Sequence, residues 1–520
     1  MAALLEKLRL NKEKVSLVAI LLLALVLRLI NLGGRNLWYD EAFAVLYAEK
    51  SLATMLYGTV TQVEGAAADV HPLFFYSILH AWMRAVGQSP VAVRALSVLL
   101  GVATVAMTYL LARRLFDRRA GLATAAIVAI APFHVYYSQE ARMYALLGFA
   151  AIAMTYFFVR AWAGGSWGHW VAFGIFSAMT LYAHNLGFTF VAGLDLGVLW
   201  AWLRPGAPRW RNLRPVLLLH LLIVGLFAPW LAVMPSQFSK IQQAYWVEQP
   251  GVVKLIQTIL IFHFAYDNQS LPRWLLSPAL FFSLLVLTVV AFELVRRRTP
   301  PGSQLSFPTP YFLLLSLTLT PILLTFLVSQ IRPIYIVRAL LPSALTYYTL
   351  VVGVLVVGCV PKPVKWGLLL PSAVIVAVSL VHHYSYAQFP RPPFDQAVTY
   401  LRENYQLGDA IVHDNKLTFF PCHYYDRELP QAFMADPQGA GSDTLALPTQ
   451  EALGLLASRT MEEGTAGSQR VWFVILQRAF AEYKGLGHPQ PPHKAWLEER
   501  YHLVETVAFN DLHVYLYETP

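Results

Sequence analysis

Charge is scarce in this 520-residue sequence. Asp, Glu, Lys and Arg together make up 13% of it, against about 25% in soluble globular chains. An ordinary soluble fold is thereby excluded. Cysteine is scarcer still, at two residues: Cys359 lies in an apolar run and Cys422 near the C-terminal part. Two thiols make no disulfide framework and leave the compartment unread. Nor is there a glycine-rich phosphate cradle, a Cys/His zinc spacing or a nucleophile elbow. Walker-type ATP chemistry is unsupported, and neither a metal nor a cofactor is expected. Internal repeats, heptads and low-complexity tracts are absent as well. The formal net charge of +9 does not point to nucleic acid, because the Lys and Arg cluster between apolar segments. That is a topology signal.

What the sequence has in abundance is apolar surface, at 57% of residues. Apolar runs at roughly 15–32, 93–112, 121–137, 142–163, 168–184, 187–203, 215–233, 275–295, 311–330, 334–358 and 365–383 predict about eleven membrane-spanning helices. The first run exceeds a signal-peptide core and has no small-residue cleavage site after it, so it reads as a retained anchor. Lys7 to Lys14, Arg113 to Arg119, Arg204 to Arg214, Arg296 to Arg298, and Lys362 with Lys365 then fall on one side. The positive-inside rule makes that side the cytoplasm. Residues 72–87 are apolar, but they are short and carry Trp82 and Arg84. Making them a span would break the charge rhythm, so they read as an interfacial amphipathic helix. The first outer loop therefore runs over 35–91.

On the outer side collect Asp40 and Glu41, His71-Pro72, Ser138 to Arg142, His184-Asn185, the stretch Pro235 to Arg273, and Arg332 to Arg338. Carboxylates and cations so close to hydrocarbon are costly. Asp40 has a plain structural reading as the N-cap of a helix from Glu41 to about Tyr57. Its chemical reading is a base that deprotonates an acceptor hydroxyl while Arg and His hold an anionic leaving group. Glu140 and Arg142 read either as a pair capping the next helix or as site residues. His184 reads first as a structural hydrogen-bonder facing the site. Tyr245, Trp246, Glu248, His263 and Asp267 fit an interfacial belt as well as a sugar platform. His382-His383 read as interfacial.

From about Tyr384 the composition changes. Phe389 to Pro393 reads as a stiff exit from the membrane. Helical patterns at Phe394–Tyr405, Glu451–Glu463 and Lys494–Tyr501 alternate with strands at Asp409–Asp414 and Val471–Leu476, and His502–Tyr517 predicts a hairpin. Residues 384–520 thus predict a small extracytoplasmic α/β domain behind a transmembrane domain at 1–383.

Three motifs occur in order: Leu37-Trp38-Tyr39-Asp40-Glu41-Ala42-Phe43, His71-Pro72-Leu73-Phe74-Phe75-Tyr76, and Tyr137-Ser138-Gln139-Glu140-Ala141-Arg142-Met143-Tyr144. The set resembles that of the C-type membrane glycosyltransferases, in the branch of protein O-mannosyltransferases and the lipid A aminoarabinose transferase. Arg338-Ala339-Leu340-Leu341-Pro342 resembles that branch's cation-x-Leu-Pro segment. Leu73 stands where many relatives carry a second proline.

The resemblance covers about 15–360. It implies a sugar donor on a polyprenyl phosphate, used on the outer face of a bacterial plasma membrane, with a lipid, glycan or protein as acceptor. It further implies Asp40 as base, Glu41 orienting the acceptor or Asp40, and His71, Arg338 and Arg142 on the donor phosphate. Glu140, Tyr39 and His184 are candidate substrate contacts. Direct displacement would invert the anomeric carbon. Two other classes stay open: a lipid or glycan transporter, which would want charge at mid-membrane, and a non-catalytic assembly factor.

Overall fold

The computed structural model describes residues 2–203, 213–243, 247–267, 270–296, 310–385, 392–436 and 445–520. Tyr245, Trp246, Arg204 to Asn212, Arg297 and Arg298, and Phe389 to Arg391 lie outside the described residues. The chain opens with α1 (Ala2–Leu29) and continues through α2 (Tyr39–Ala48), α3 (Leu52–Val60), a hairpin of β1 (Gln62–Val63) and β2 (Ala66–Ala67), and α4 (Phe74–Val86). There follow α5 (Pro90–Leu115), α6 (Arg118–Ile130), α7 (Pro132–Ser138), α8 (Tyr144–Trp162), α9 (Trp167–Ala183), α10 (Gly187–Leu203) and α11 (Leu213–Gln243). The helical part ends with α12 (Val252–His263), α13 (Arg273–Arg296), α14 (Pro310–Val328), a 3-10 turn (Val337–Leu340), α15 (Leu341–Val352) and α16 (Lys362–Ser385).

Among the described residues, seven helices are long and apolar enough to cross a membrane, or eight if the bent α6–α7 pair is one span. Each of the eleven expected segments falls on a helix or a broken helix. The shortfall has visible causes. Helix α1 carries Lys12, Glu13, Lys14 and Arg28, while α9 and α10 have 17 residues each. Helix α4 has 13 residues, about 20 Å at 1.5 Å per residue, which is too short to cross.

The 62° bend between α6 and α7 follows from Pro132. Its ring nitrogen cannot donate to the carbonyl of Val128. Instead Arg28, fully buried in α1, donates to Val128 O at 3.3 Å and to Ala129 O at 3.0 Å. A freed carbonyl inside an apolar bundle is thus satisfied by a neighbouring helix. At one end of the bundle, Glu13 of α1 meets Arg113 at 3.2 Å and Arg118 at 3.3 Å. The other end carries α2, α3 and α4.

Two expectations for the first loop are corrected. Helix Glu41–Tyr57 is two helices, broken where Ser51 caps α3 by accepting from Thr54 N at 3.1 Å. Asp40 is not an N-cap: Trp38 holds that position without a side-chain bond, and Asp40 lies in the first turn of α2.

The last segment forms a five-stranded sheet from β3 (Ala410–His413), β4 (Gln431–Phe433), β5 (Arg470–Leu476), β6 (His502–Phe509) and β7 (Leu512–Glu518), in the order β4-β3-β5-β7-β6. Strands β3, β4 and β5 are parallel, and β7 joins β5 and β6 antiparallel. Helix α17 (Phe394–Asn404) leads into the sheet, and α18 (Lys416–Tyr425) with α19 (Leu447–Leu453) follow β3 and β4. The expected helix Glu451–Glu463 stops at Gly454, whose φ of 71° closes α19 in the left-handed region.

This segment sits directly on α2 and α3. Phe420 packs its ring against Tyr39 and Phe43 at centroid distances of 5.7 and 5.9 Å. Tyr425 Oη accepts from Leu37 N at 3.0 Å, and Thr449 donates to Gly58 O at 2.8 Å. A Cβ at Gly58 would come within 2.6 Å of the Ala452 Cβ, so the close approach of α3 and α19 requires glycine there.

Candidate functional site

The site is assembled from four places in the sequence by the ends of helices. The first turn of α2 projects Asp40, and the short α7–α8 connection brings Glu140 and Arg142 beneath it. The segment before α4 supplies His71, and the 3-10 turn before α15 supplies Arg338. Asp40 Oδ2 lies 3.7 Å from Arg142 Nε and 3.4 Å from Arg338 Nη1. Arg142 also donates through Nη1 to Asp40 O at 3.3 Å and to Tyr76 Oη at 3.4 Å. The Arg338 guanidinium lies over the rings of Trp38 and Tyr144, at 5.9 and 5.4 Å. One carboxylate thus faces two guanidinium groups across distances longer than tight charge-assisted bonds.

Arg142 is 4% exposed. Burial opposes its charge, but Asp40, Tyr76, Tyr144 and Asp69 raise its pKa well above the ordinary value, so it remains a cation. Glu140 is buried beside Tyr137 and Tyr144.

His71 and His184 line a largely apolar pocket that Leu186, Phe188, Met234 and Ile336 also bound. Their rings meet edge to face at 6.3 Å. Asp69 accepts from His71 N at 2.9 Å and pairs with His71 Nδ1 at 2.8 Å, orienting the imidazole. Burial works against the Asp69 charge, yet His71 and Arg142 hold its carboxyl below the usual carboxylate range.

His184 Nδ1 accepts from Leu186 N at 3.0 Å, which leaves Nε2 as the protonated nitrogen of a neutral ring. Burial first, then His71, Arg338 and Arg142, push its pKa well below 6.5. As pH falls below 6.5, the unfolded chain gains a proton at this position that the folded chain does not. Stability therefore drops toward acid, by up to about 1.4 kcal/mol per pH unit. Thermal unfolding between pH 7 and 5 should show this slope. His184→Gln should lower the slope by its own share, and an unchanged slope would refute the assignment.

Glu41, Tyr39 and His383 are engaged in packing within the protein. Glu41 is fully buried and accepts from Arg94 Nε at 2.8 Å, from Arg94 Nη2 at 2.7 Å and from Ala141 N at 3.0 Å. Its carboxylate ties α2 to α5 and to the α7–α8 connection. Tyr39 turns its ring toward Phe43 and Phe420, into the packing under α18. His383 is buried rather than interfacial, with Nε2 2.6 Å from Gln139 Oε1. His263 bonds Tyr347 Oη at 2.7 Å.

Sequence reasoning missed Arg94, Asp69 and Tyr76. Arg94 had a readable signal, as a charge inside an apolar run. Asp69 and Tyr76 had only their nearness to His71. Among the described residues, no group of three or more His, Cys, Asp or Glu is placed to hold a metal.

Residues 70–233 match the family model described as dolichyl-phosphate-mannose-protein mannosyltransferase. Among solved structures, the chain is similar to ArnT from Cupriavidus metallidurans bound to undecaprenyl phosphate. The identity is 12%, over 96% of this chain and 97% of that one, with a TM-score of 0.60. The fold is that of the C-type membrane glycosyltransferases. The same ArnT in its apo state aligns at 11% identity, again over 96% and 97% of the chains, with a TM-score of 0.60. An archaeal oligosaccharyltransferase, AglB from Archaeoglobus fulgidus in complex with an inhibitory peptide and a dolichol-phosphate, aligns at 13% identity. There the alignment covers 98% of this chain and 74% of that chain, with a TM-score of 0.55. No curated protein sequence matches the chain. The resemblance carried by the motifs is borne out, and the family model and the C-type fold together point to a glycosyltransferase. The matched segment contains His71, Glu140, Arg142 and His184; Asp40 and Arg338 lie outside it.

Proposed function

We propose that the protein transfers a sugar from a polyprenyl-phosphate carrier to a hydroxyl of a lipid, glycan or protein acceptor, with Asp40 as general base. The observation that carries this reading is the Asp40 carboxylate between Arg142 and Arg338, beside the pocket of His71. The acceptor O–H would give its proton to Asp40 as its oxygen attacks the anomeric carbon. The bond from that carbon to the phosphate oxygen would break with its electron pair going to the phosphate. Arg338, Arg142 and His71 would hold the resulting charge. A polyprenyl phosphate leaves readily, so no strong general acid is needed, and a single displacement inverts the centre. The long Arg–Asp40 distances agree with guanidinium groups that can turn toward a phosphate and release the base. Glu41 and Arg94 act as positioning residues under α2.

The same reading puts α2–α4 and the site on the extracytoplasmic side of a bacterial plasma membrane, with eleven crossings, the basic loops in the cytoplasm and residues 384–520 outside. That last segment, resting on α2 and α3, is suited to present the acceptor.

The test uses the protein in liposomes, supplied with radiolabelled sugars on polyprenyl phosphate and an acceptor extract. The expected result is label in the acceptor and one free polyprenyl phosphate per sugar moved. Movement of lipid between leaflets without sugar transfer would instead establish a transporter.

A further inference from the structure

Two residues on the seam of α10 and α11 take no part in the site above. His220 Nε2 and Asp195 Oδ1 lie 2.9 Å apart, and His220 Nδ1 lies 2.8 Å from the carbonyl of Val216. A carbonyl can only accept, so Nδ1 carries a hydrogen. The bond between Nε2 and Oδ1 then holds one proton on either atom, and the pair is neutral overall in both forms. The side chains are 44% exposed for Asp195 and 27% for His220, so the pair faces outward from the bundle.

Its depth follows from a second bond between the same antiparallel segments. Trp230 of α11 donates to Asn185, just before α10, at 2.9 Å, and Asn185 lines the pocket. Asp195 and His220 each lie ten residues further along their helices, about 15 Å at 1.5 Å per residue. With the pocket at the outer boundary of a hydrocarbon layer about 30 Å thick, as the proposed function has it, that is the midplane.

Polar groups at this depth are expensive and mark function more often than packing. The two helices also have different neighbours. Helix α11 packs Ile223, Phe227 and Trp230 with Leu181 of α9, whereas α10 lies close to α14 at Gly193. The pair therefore adds a polar link between two helices that also meet where Phe188 and Val191 of α10 pack on Ile223, Phe227 and Trp230, directly beneath a pocket whose walls they share through Phe188 and Met234.

We propose that the Asp195–His220 pair is a positioning element for the carrier lipid. By fixing the spacing of α10 and α11 below the pocket, it sets the affinity for polyprenyl tails long enough to reach the midplane. The inference rests on the polyprenyl-phosphate reading and deepens it.

The experiment measures binding of undecaprenyl phosphate and of geranyl phosphate to the full-length protein in lipid nanodiscs. Asp195→Leu combined with His220→Phe removes both partners and leaves no orphaned polar group. It should weaken undecaprenyl phosphate about tenfold and leave geranyl phosphate unchanged. Asp195→Asn, whose amide can donate to Nε2, should bind both as wild type does. If the double variant does not fold, Asp195→Glu lengthens the link and should give the same dependence on tail length. Unchanged binding of both lipids, or equal weakening of both, overturns the inference while the carrier reading stands. A wild type that binds neither lipid overturns the carrier reading and the inference with it.

Discussion

Asp40→Asn should leave the protein folded and lower sugar transfer by a factor on the order of a hundred or more, in line with loss of a general base. The amide matches the carboxylate in shape and can still accept from Arg142 or Arg338. What it loses is the ability to take a proton from a hydroxyl. Folding should survive because Asp40 is not the cap of α2, its backbone oxygen keeps the bond from Arg142 Nη1 in the variant, and the shorter bonds that anchor the helix belong to Glu41 and Arg94. Wild type and variant, reconstituted side by side, would be compared for initial transfer rate and thermal unfolding. Equal rates would remove Asp40 from the chemistry. Unequal unfolding would return it to a structural part.

The sequence carried the helical architecture because apolar runs of spanning length leave little choice of structure. The candidate site was legible where residues lie in short connections between such runs, as Arg142 and Arg338 do, since a charge that close to hydrocarbon is costly. It was not legible where a choice of direction decides the role. Asp40 and Glu41 are adjacent and chemically alike, yet the 100° step between them sends one toward Arg142 and the other into the bundle toward Arg94. Tyr39 turns away in the same manner toward Phe420, a partner nearly four hundred residues distant that no local pattern announces. Asp195 and His220 were passed over for a different reason: each is a single polar residue in an apolar run, and only the antiparallel register pairs them.

Arg94→Met should cost about 3–5 kcal/mol, the range for removing one partner of a buried ion pair. Arg94 is fully buried, and besides its fork onto Glu41 it donates to Leu32 O at 2.8 Å, Arg35 O at 2.9 Å and Asn36 O at 3.2 Å. These carbonyls belong to the turn that carries the chain from α1 into α2. Methionine fills much of the space but satisfies none of them, and it leaves the Glu41 carboxylate with Ala141 N as its remaining bond among those above. Replacing both partners, as Arg94→Met with Glu41→Leu, removes the stranded charge and should recover part of the loss. The recovery stays incomplete because three carbonyls still lack their donor, at about 1–3 kcal/mol for each buried group. Denaturant or thermal unfolding in detergent would measure all three proteins. A cost below about 1 kcal/mol for the single variant would mean that α2, and Asp40 with it, is held by its contacts with Phe420 and Tyr425 alone. The larger cost would place the anchor of the turn that carries Asp40 inside the bundle, at Arg94.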